Sequence, residues 1–150
     1  MAETRILSHP FPPVYDEHSE ILILGSFPSV KSVEDGYYYA NPLNRFYPMM
    51  SELFHEDFVK VPWADKRKLL LKHHVALHDA IGKIAIEGSS DAKIHHAEPA
   101  DLKLIFEKAK IHHIYCNGAK AYEQFLRYFP EVKIPVTVLP STSPANARMR

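Results

Sequence analysis

Ile21-Leu22-Ile23-Leu24, running straight into Gly25-Ser26, is the stretch on which the fold turns. Four consecutive apolar residues do not suit a half-exposed strand, which would alternate with polar positions. They suit a strand covered on both faces, as strands of a parallel sheet are. The abrupt change to Gly-Ser opens a loop that runs to Asn44. At about 19 residues it exceeds an ordinary connection, and that length is itself a hint of function.

Further strands appear on the C-terminal side. Val75-Ala76-Leu77-His78-Asp79, His113-Ile114-Tyr115-Cys116 and Val136-Thr137-Val138-Leu139 are short apolar runs with polar exits. Helices fall between them. Asn44 suits the cap of a helix beginning near Arg45, with Phe46, Met49, Met50, Leu53 and Phe54 at helical spacing. Ala64–His74, Pro99–Lys110 and Ala119–Phe129 read as three more, the last stopped by Pro130. On the N-terminal side, His9-Pro10-Phe11-Pro12-Pro13 can neither propagate a helix nor pair as a central strand, so an extended arm is expected. Residues 80–86 fit neither period, and Gly88-Ser89-Ser90-Asp91 reads as a loop.

Strand, helices, strand, helix, strand, helix, strand predicts an α/β fold. The expected form is three αβα layers around a four-stranded, mainly parallel sheet, in a single domain over 1–150. Such sheets bind ligands beyond the C-terminal ends of their strands. Four polar, Gly/Pro/Asn-rich segments leave those ends: Gly25 to Asn44, His78-Asp79, Asn117-Gly118 and Pro140 to Asn146. Their convergence predicts one site.

Bulk composition narrows the class. The 150 residues suit one core, and 18 basic residues balance 18 acidic ones, which argues against tight unspecific binding of nucleic acid. Lys31, Arg45, Arg148 and Arg150 still offer a local basic rim. One cysteine excludes an internal disulfide and a thiolate-held iron–sulfur cluster, and a reducing interior fits best. No apolar run suits a membrane helix and the N-terminus has no signal-type core, so no membrane association and a cytoplasmic location are expected. Ten histidines raise the question of zinc. However, His74 and His78 straddle a helix–strand boundary, and His95-His96 and His112-His113 are isolated pairs. No metal and no cofactor are expected.

The first loop carries Tyr37-Tyr38-Tyr39 ahead of Ala40-Asn41-Pro42-Leu43-Asn44-Arg45-Phe46. Consecutive aromatics in a loop either stack on a ligand ring or pack on the sheet, and the loop alone does not decide between these. Asn44 either caps its helix or places a water or a base edge.

These residues resemble the uracil-DNA glycosylase superfamily, and within it the hypoxanthine-DNA (deoxyinosine) glycosylase family. The resemblance rests on Phe11-Pro12-Pro13-Val14-Tyr15, Ile21 through Ser29, Tyr38 through Phe46, and Leu139-Pro140-Ser141-Thr142-Ser143-Pro144-Ala145-Asn146, and covers nearly the whole chain. It implies a monofunctional enzyme, monomeric, that flips a deaminated base out of double- or single-stranded DNA and hydrolyses its glycosidic bond. The alternative is a silent binder of the same fold. Mismatch-specific uracil glycosylases of the superfamily open their first motif Gly-Ile-Asn-Pro-Gly, and that Asn orients the attacking water. Phe27 stands in its place here. The catalytic role then falls to Asn44, with Asn41 as fallback.

The resemblance further implies base contacts from Gly25, Ser26, Phe27, Tyr39 (by stacking) and Asn117. Asp79 would accept a hydrogen bond from N1–H of hypoxanthine, unless it merely caps a following helix. Backbone N–H groups of the Gly25–Ser29 loop would stabilise charge on the leaving base. Asn117-Gly118 opens a helix whose N-terminus faces a phosphate, or is simply a tight turn. DNA contacts are expected from Lys31, Arg45, Ser141, Thr142 and Ser143, with Pro144-Ala145-Asn146 as the wedge in the vacated stack. Two departures stand out: Tyr47 where Trp usually follows Asn-Arg-Phe, and His78 where an aromatic often precedes the Asp. The family's further helix is missing after Arg150, trimmed away or never present, so the second motif is expected to be weakly anchored.

Overall fold

The computed structural model describes residues 4–28, 30–87 and 93–143. Its centre is a parallel sheet in the order β3-β2-β6-β7, built from β2 (Ile21–Gly25), β3 (Val75–Asp79), β6 (His113–Asn117) and β7 (Val136–Leu139). The expected three-layer α/β architecture is present, and successive side chains of β2 divide between its two faces. Leu22 and Leu24 join Ala76, Ile114 and Cys116 under α4 (Lys103–Lys108) and α5 (Ala119–Tyr128), against Ile105, Ala121 and Phe125. Ile23 joins Val75 and Leu77 on the other face, under α2 (Phe46–Phe54) and α3 (Trp63–Lys72), against Phe46, Met50 and Leu70. Burying both faces explains the unbroken apolar run of β2. No helix among the described residues is long and apolar enough to cross a membrane.

Three expectations need correction. A second, antiparallel sheet, β1-β4-β5, is formed by β1 (Thr4–Ser8), β4 (Ile81–Glu87) and β5 (Lys93–Pro99). It absorbs the ambiguous 80–86 stretch. It also takes the residues where a helix from Pro99 was expected: Pro99 ends β5 opposite Ile81, and the Ala100 N–H still donates to the Ala80 carbonyl at 2.8 Å. The helix therefore starts only at Lys103, whose N–H is held by Asp101 Oδ1 at 3.2 Å. Finally, the long first loop is not bare, since α1 (Val30–Asp35) lies inside it. The loop expected at Gly88–Asp91 lies outside the described residues.

The second sheet matters for the site. Only Ala80 separates β3 from β4, and Ser8 pairs with Lys83. The next residue, His9, donates its N–H to the Gly82 carbonyl at 2.7 Å. The proline-rich arm continues extended and bridges Val14 to Leu77. Thus the N-terminal arm is drawn across the exit of β3, directly beside Asp79.

Candidate active site

The C-terminal ends of the four parallel strands open on one cavity of about 680 Å³. The four polar segments meet there: Gly25–Pro28, Tyr38, Tyr39, Asn41 and Asn44 from the first loop, Asp79 from β3, Asn117–Ala121 at the β6–α5 turn, and Ser141–Ser143 after β7. Pro144, Ala145, Asn146, Arg148 and Arg150 lie outside the described residues. Lys31 sits on α1, but its side chain is likewise outside them.

The three tyrosines have separate fates. Tyr37 stacks on Trp63, with ring centroids 5.4 Å apart, and Tyr38 is buried. Tyr39 adopts a left-handed backbone, φ 57°, a conformation that costs a non-glycine residue energy and is tolerated mainly where surroundings or function enforce it. That turn lays one ring face on Phe46, at 4.2 Å and 25°, while the residue lines the cavity. Its buried hydroxyl makes no hydrogen bond of acceptable geometry among the described residues. The Asn117 carboxamide comes near enough to pull the Tyr39 pKa down, but burial first and the Asp79 charge second raise it well above the ordinary value.

Asp79 forms the floor. Its pairing partner on β2 is Gly25, and a Cβ on Gly25 would lie 2.4 Å from Asp79 Oδ1 and 3.1 Å from Tyr39 Oη. Only glycine lets that carboxyl oxygen lie across the backbone at the cavity floor. The carboxyl is buried, which raises its pKa; the hydrogen bond between it and His9 acts in the opposite sense. β4 follows at once, so Asp79 caps no helix. Phe27 contacts the His9 ring edge-on at 5.8 Å and packs against Ile81 and Ile84, a setting in which it holds no water.

The two asparagines occupy consecutive Asx turns. Asn41 Oδ1 accepts from the Leu43 N–H and Asn44 Oδ1 from the Phe46 N–H, both at 2.9 Å. Asn44 is therefore not the capping residue expected: α2 starts one residue later, with Arg45 at the capping position, while the Asn44 side chain holds the N–H of its first residue and lines the cavity.

Arg45 and Asn117 turn inward and join the two end motifs. Arg45 donates from its backbone N–H to the Thr142 carbonyl and from Nη2 to the Ser141 carbonyl, each at 3.0 Å. The Asn117 carboxamide holds Thr142 twice, donating to Oγ1 and accepting from its N–H, both at 3.0 Å. Residues 141–143 are therefore anchored from two elements, against the weak anchoring expected from the chain's end. Gly118, φ 101°, makes the tight turn into α5, and a Cβ there would meet Ser141 at 3.0 Å.

Sequence reasoning missed His9 and the role of His78. His78 Nδ1 lies 2.8 Å from Tyr38 Oη, which reaches the Pro12 carbonyl at 3.1 Å. All three groups are satisfied when Nδ1 carries the proton. Burial first, and the neighbouring His9 second, lower the His78 pKa from its ordinary 6.5 to about 3. The folded protein keeps this ring neutral where the unfolded chain binds a proton. Its contribution to stability is therefore present above about pH 6.5 and is lost as the pH falls toward 3, by at most about 1.4 kcal/mol per unit. The urea midpoint should fall between about pH 7 and about pH 5. His78→Phe should remove much of that fall, since Tyr38 keeps the Pro12 carbonyl; equal falls in both proteins would contradict this origin.

Comparison with known proteins places the molecule in its class. The family model of the uracil DNA glycosylase superfamily matches residues 12–150, and the chain belongs to that superfamily. A protein of Methanosarcina acetivorans named hypoxanthine DNA glycosylase is 38% identical over 141 residues, covering 92% of this chain and 87% of the relative. One of the same name from Methanosarcina barkeri is 32% identical over equal coverage. The solution NMR structure of a candidate uracil DNA glycosylase from Methanosarcina acetivorans superposes with a TM-score of 0.79 at 37% identity, covering 96% of this chain and 89% of that one. Membership makes this an N-glycosyl hydrolase acting on DNA.

Proposed function

We propose that this protein excises hypoxanthine, and to some extent uracil, from deaminated DNA, in the cytoplasm and as a monomer. The single observation that carries the reading is the buried acceptor on the cavity floor, Asp79 Oδ1 lying over Gly25. Deamination turns ring nitrogen N1 of adenine, or N3 of cytosine, from an acceptor into an N–H donor. A fixed acceptor meets the deaminated base with a hydrogen bond and the parent base with opposed lone pairs. The named relatives support hypoxanthine as the preferred base.

In this reading the target nucleotide leaves the stack and its base enters the cavity, against the free face of Tyr39. The C1′–N bond then breaks with positive charge on the sugar and negative charge on the base. Backbone N–H groups of Ser26 and Phe27, at the cavity wall, stabilise the departing base. Phe27 takes no part in placing water, so the Asn44 amide, which retains its N–H donors and a second lone pair on Oδ1, positions the nucleophile. Ser141 and Ser143 face the phosphates. Arg45 holds that segment through the Ser141 and Thr142 carbonyls.

End-labelled duplexes carrying one deoxyinosine or one deoxyuridine test the function. After incubation and alkali, scission at the lesion is expected, faster for deoxyinosine. No scission on either overturns the proposal and favours the silent binder. Tyr39→Ala should slow excision of both bases by roughly 5- to 150-fold, the worth of one stacked base, because stacking is blind to base identity. A loss confined to one base would contradict the stacking role.

A further inference from the structure

We infer that His9, from the N-terminal arm, is a positioning residue that fixes the cavity-facing oxygen of Asp79 as a hydrogen-bond acceptor, and so sets the enzyme's selectivity for bases with a ring N–H. The inference rests on the base-reading role proposed above for Asp79.

His9 Nδ1 lies 2.8 Å from the Phe11 carbonyl, which can only accept, so Nδ1 carries a hydrogen. His9 Nε2 lies 2.7 Å from Asp79 Oδ2, with both side chains almost wholly buried. One proton must occupy that contact. It sits either on Nε2, giving imidazolium and carboxylate, or on Oδ2, giving neutral imidazole and carboxylic acid. Oδ1 bears no proton in either state, and Oδ1 is the oxygen lying over Gly25 at the cavity floor. A lone buried carboxylic acid is free to carry its proton on either oxygen and to present a donor to the base. His9 forbids that. The pair thus tolerates the raised proton affinity that burial gives Asp79 without changing what the base meets.

The groups facing the pair do not compete for this proton. Tyr38 and Tyr39 hold theirs, their pKa values raised by burial and then by Asp79. His78, whose ring centroid is 4.8 Å from that of His9, stays neutral, and the Cys116 thiol is raised to about 11. Asn117 on β6 does not titrate, Phe11 and Phe27 are apolar, and Lys120 lines the cavity from α5. The constraint is built by the fold, because the β1–β4 pairing delivers His9 to Gly82, three residues past Asp79.

The test is single-turnover excision from a deoxyinosine duplex as a function of pH, with the full chain and its His9→Leu and His9→Gln variants. Leucine leaves the Asp79 proton free to move to Oδ1. His9→Leu should therefore lose at least about tenfold while Asp79 stays protonated and regain at least about fivefold relative to the native protein as rising pH ionises it, burial holding that carboxyl above its ordinary range. Glutamine can accept from or donate to Oδ2, so His9→Gln should recover most of the loss and follow the native profile. A uniform, pH-independent loss in His9→Leu, or equal losses in both variants, overturns the inference. If His9→Leu does not fold, the native protein still decides: the 15N resonances of the His9 ring and the 13C resonance of the Asp79 carboxyl must share one midpoint, with Nδ1 protonated throughout. Independent midpoints overturn it. Asp79→Ala separates the two levels. If that variant excises hypoxanthine at the native rate, the base-reading role itself fails; if it is impaired while His9→Leu merely parallels the native profile, only the role of His9 fails.

Discussion

Asn44→Ala is expected to slow hypoxanthine excision by about a hundredfold or more, the cost of leaving the nucleophile unplaced. The same change removes the oxygen that holds the Phe46 N–H at 2.9 Å, so stability should drop by about 1 kcal/mol, the usual worth of one such hydrogen bond. Asn44→Asp separates the two effects. It keeps that oxygen but loses the amide donors and brings a negative charge into the cavity. It should unfold like the native protein and still excise poorly. If Asn44→Ala excises at near-native rate, the role passes to Asn41, whose oxygen holds the Leu43 N–H in the preceding turn.

Asp79→Ala should reduce excision of both hypoxanthine and uracil by roughly 5- to 150-fold, because each base then buries a ring N–H with no acceptor. The loss should lie in base capture and alignment, since neither bond cleavage nor water placement is assigned to this carboxyl. Stability should also fall, by about 1–3 kcal/mol, because the buried His9 Nε2 loses the carboxyl oxygen 2.7 Å away, so rates are compared on protein shown to be folded. Measured by single-turnover kinetics, an unchanged rate for either base would contradict the shared acceptor.

Much of this arrangement is legible in the chain because its signals are local. Ile21–Leu24 followed by Gly25 marks a strand buried on both faces, and the three later strands repeat the pattern with polar exits. Parallel strands then force their polar exits to one edge, so the sequence alone groups Gly25, Asp79, Asn117 and Ser141. What stayed hidden depends on long-range pairing. β1, β4 and β5 show no clean alternation, and β1 finds its partner more than 70 residues away. Without that pairing nothing sends His9 to Asp79, and a histidine before a proline carries no signal of its own. The inward turn of Arg45 was hidden for a related reason. An arginine beside a motif reads as a phosphate ligand until the carbonyls of Ser141 and Thr142 are seen beside it.

The central claim is that the ends of the parallel strands, floored by Gly25 and Asp79 and walled by Tyr39 and Asn44, hold the extruded base. A duplex carrying 2′-fluoro-deoxyinosine tests it directly, since the fluorine opposes cation development at C1′ and leaves a bound, uncleaved complex. Titrated into isotope-labelled protein, it should shift the resonances of Gly25, Ser26, Tyr39, Asp79 and Asn117 beyond those moved by an undamaged duplex of the same sequence. Tight binding of the modified duplex with those residues unmoved would contradict the account.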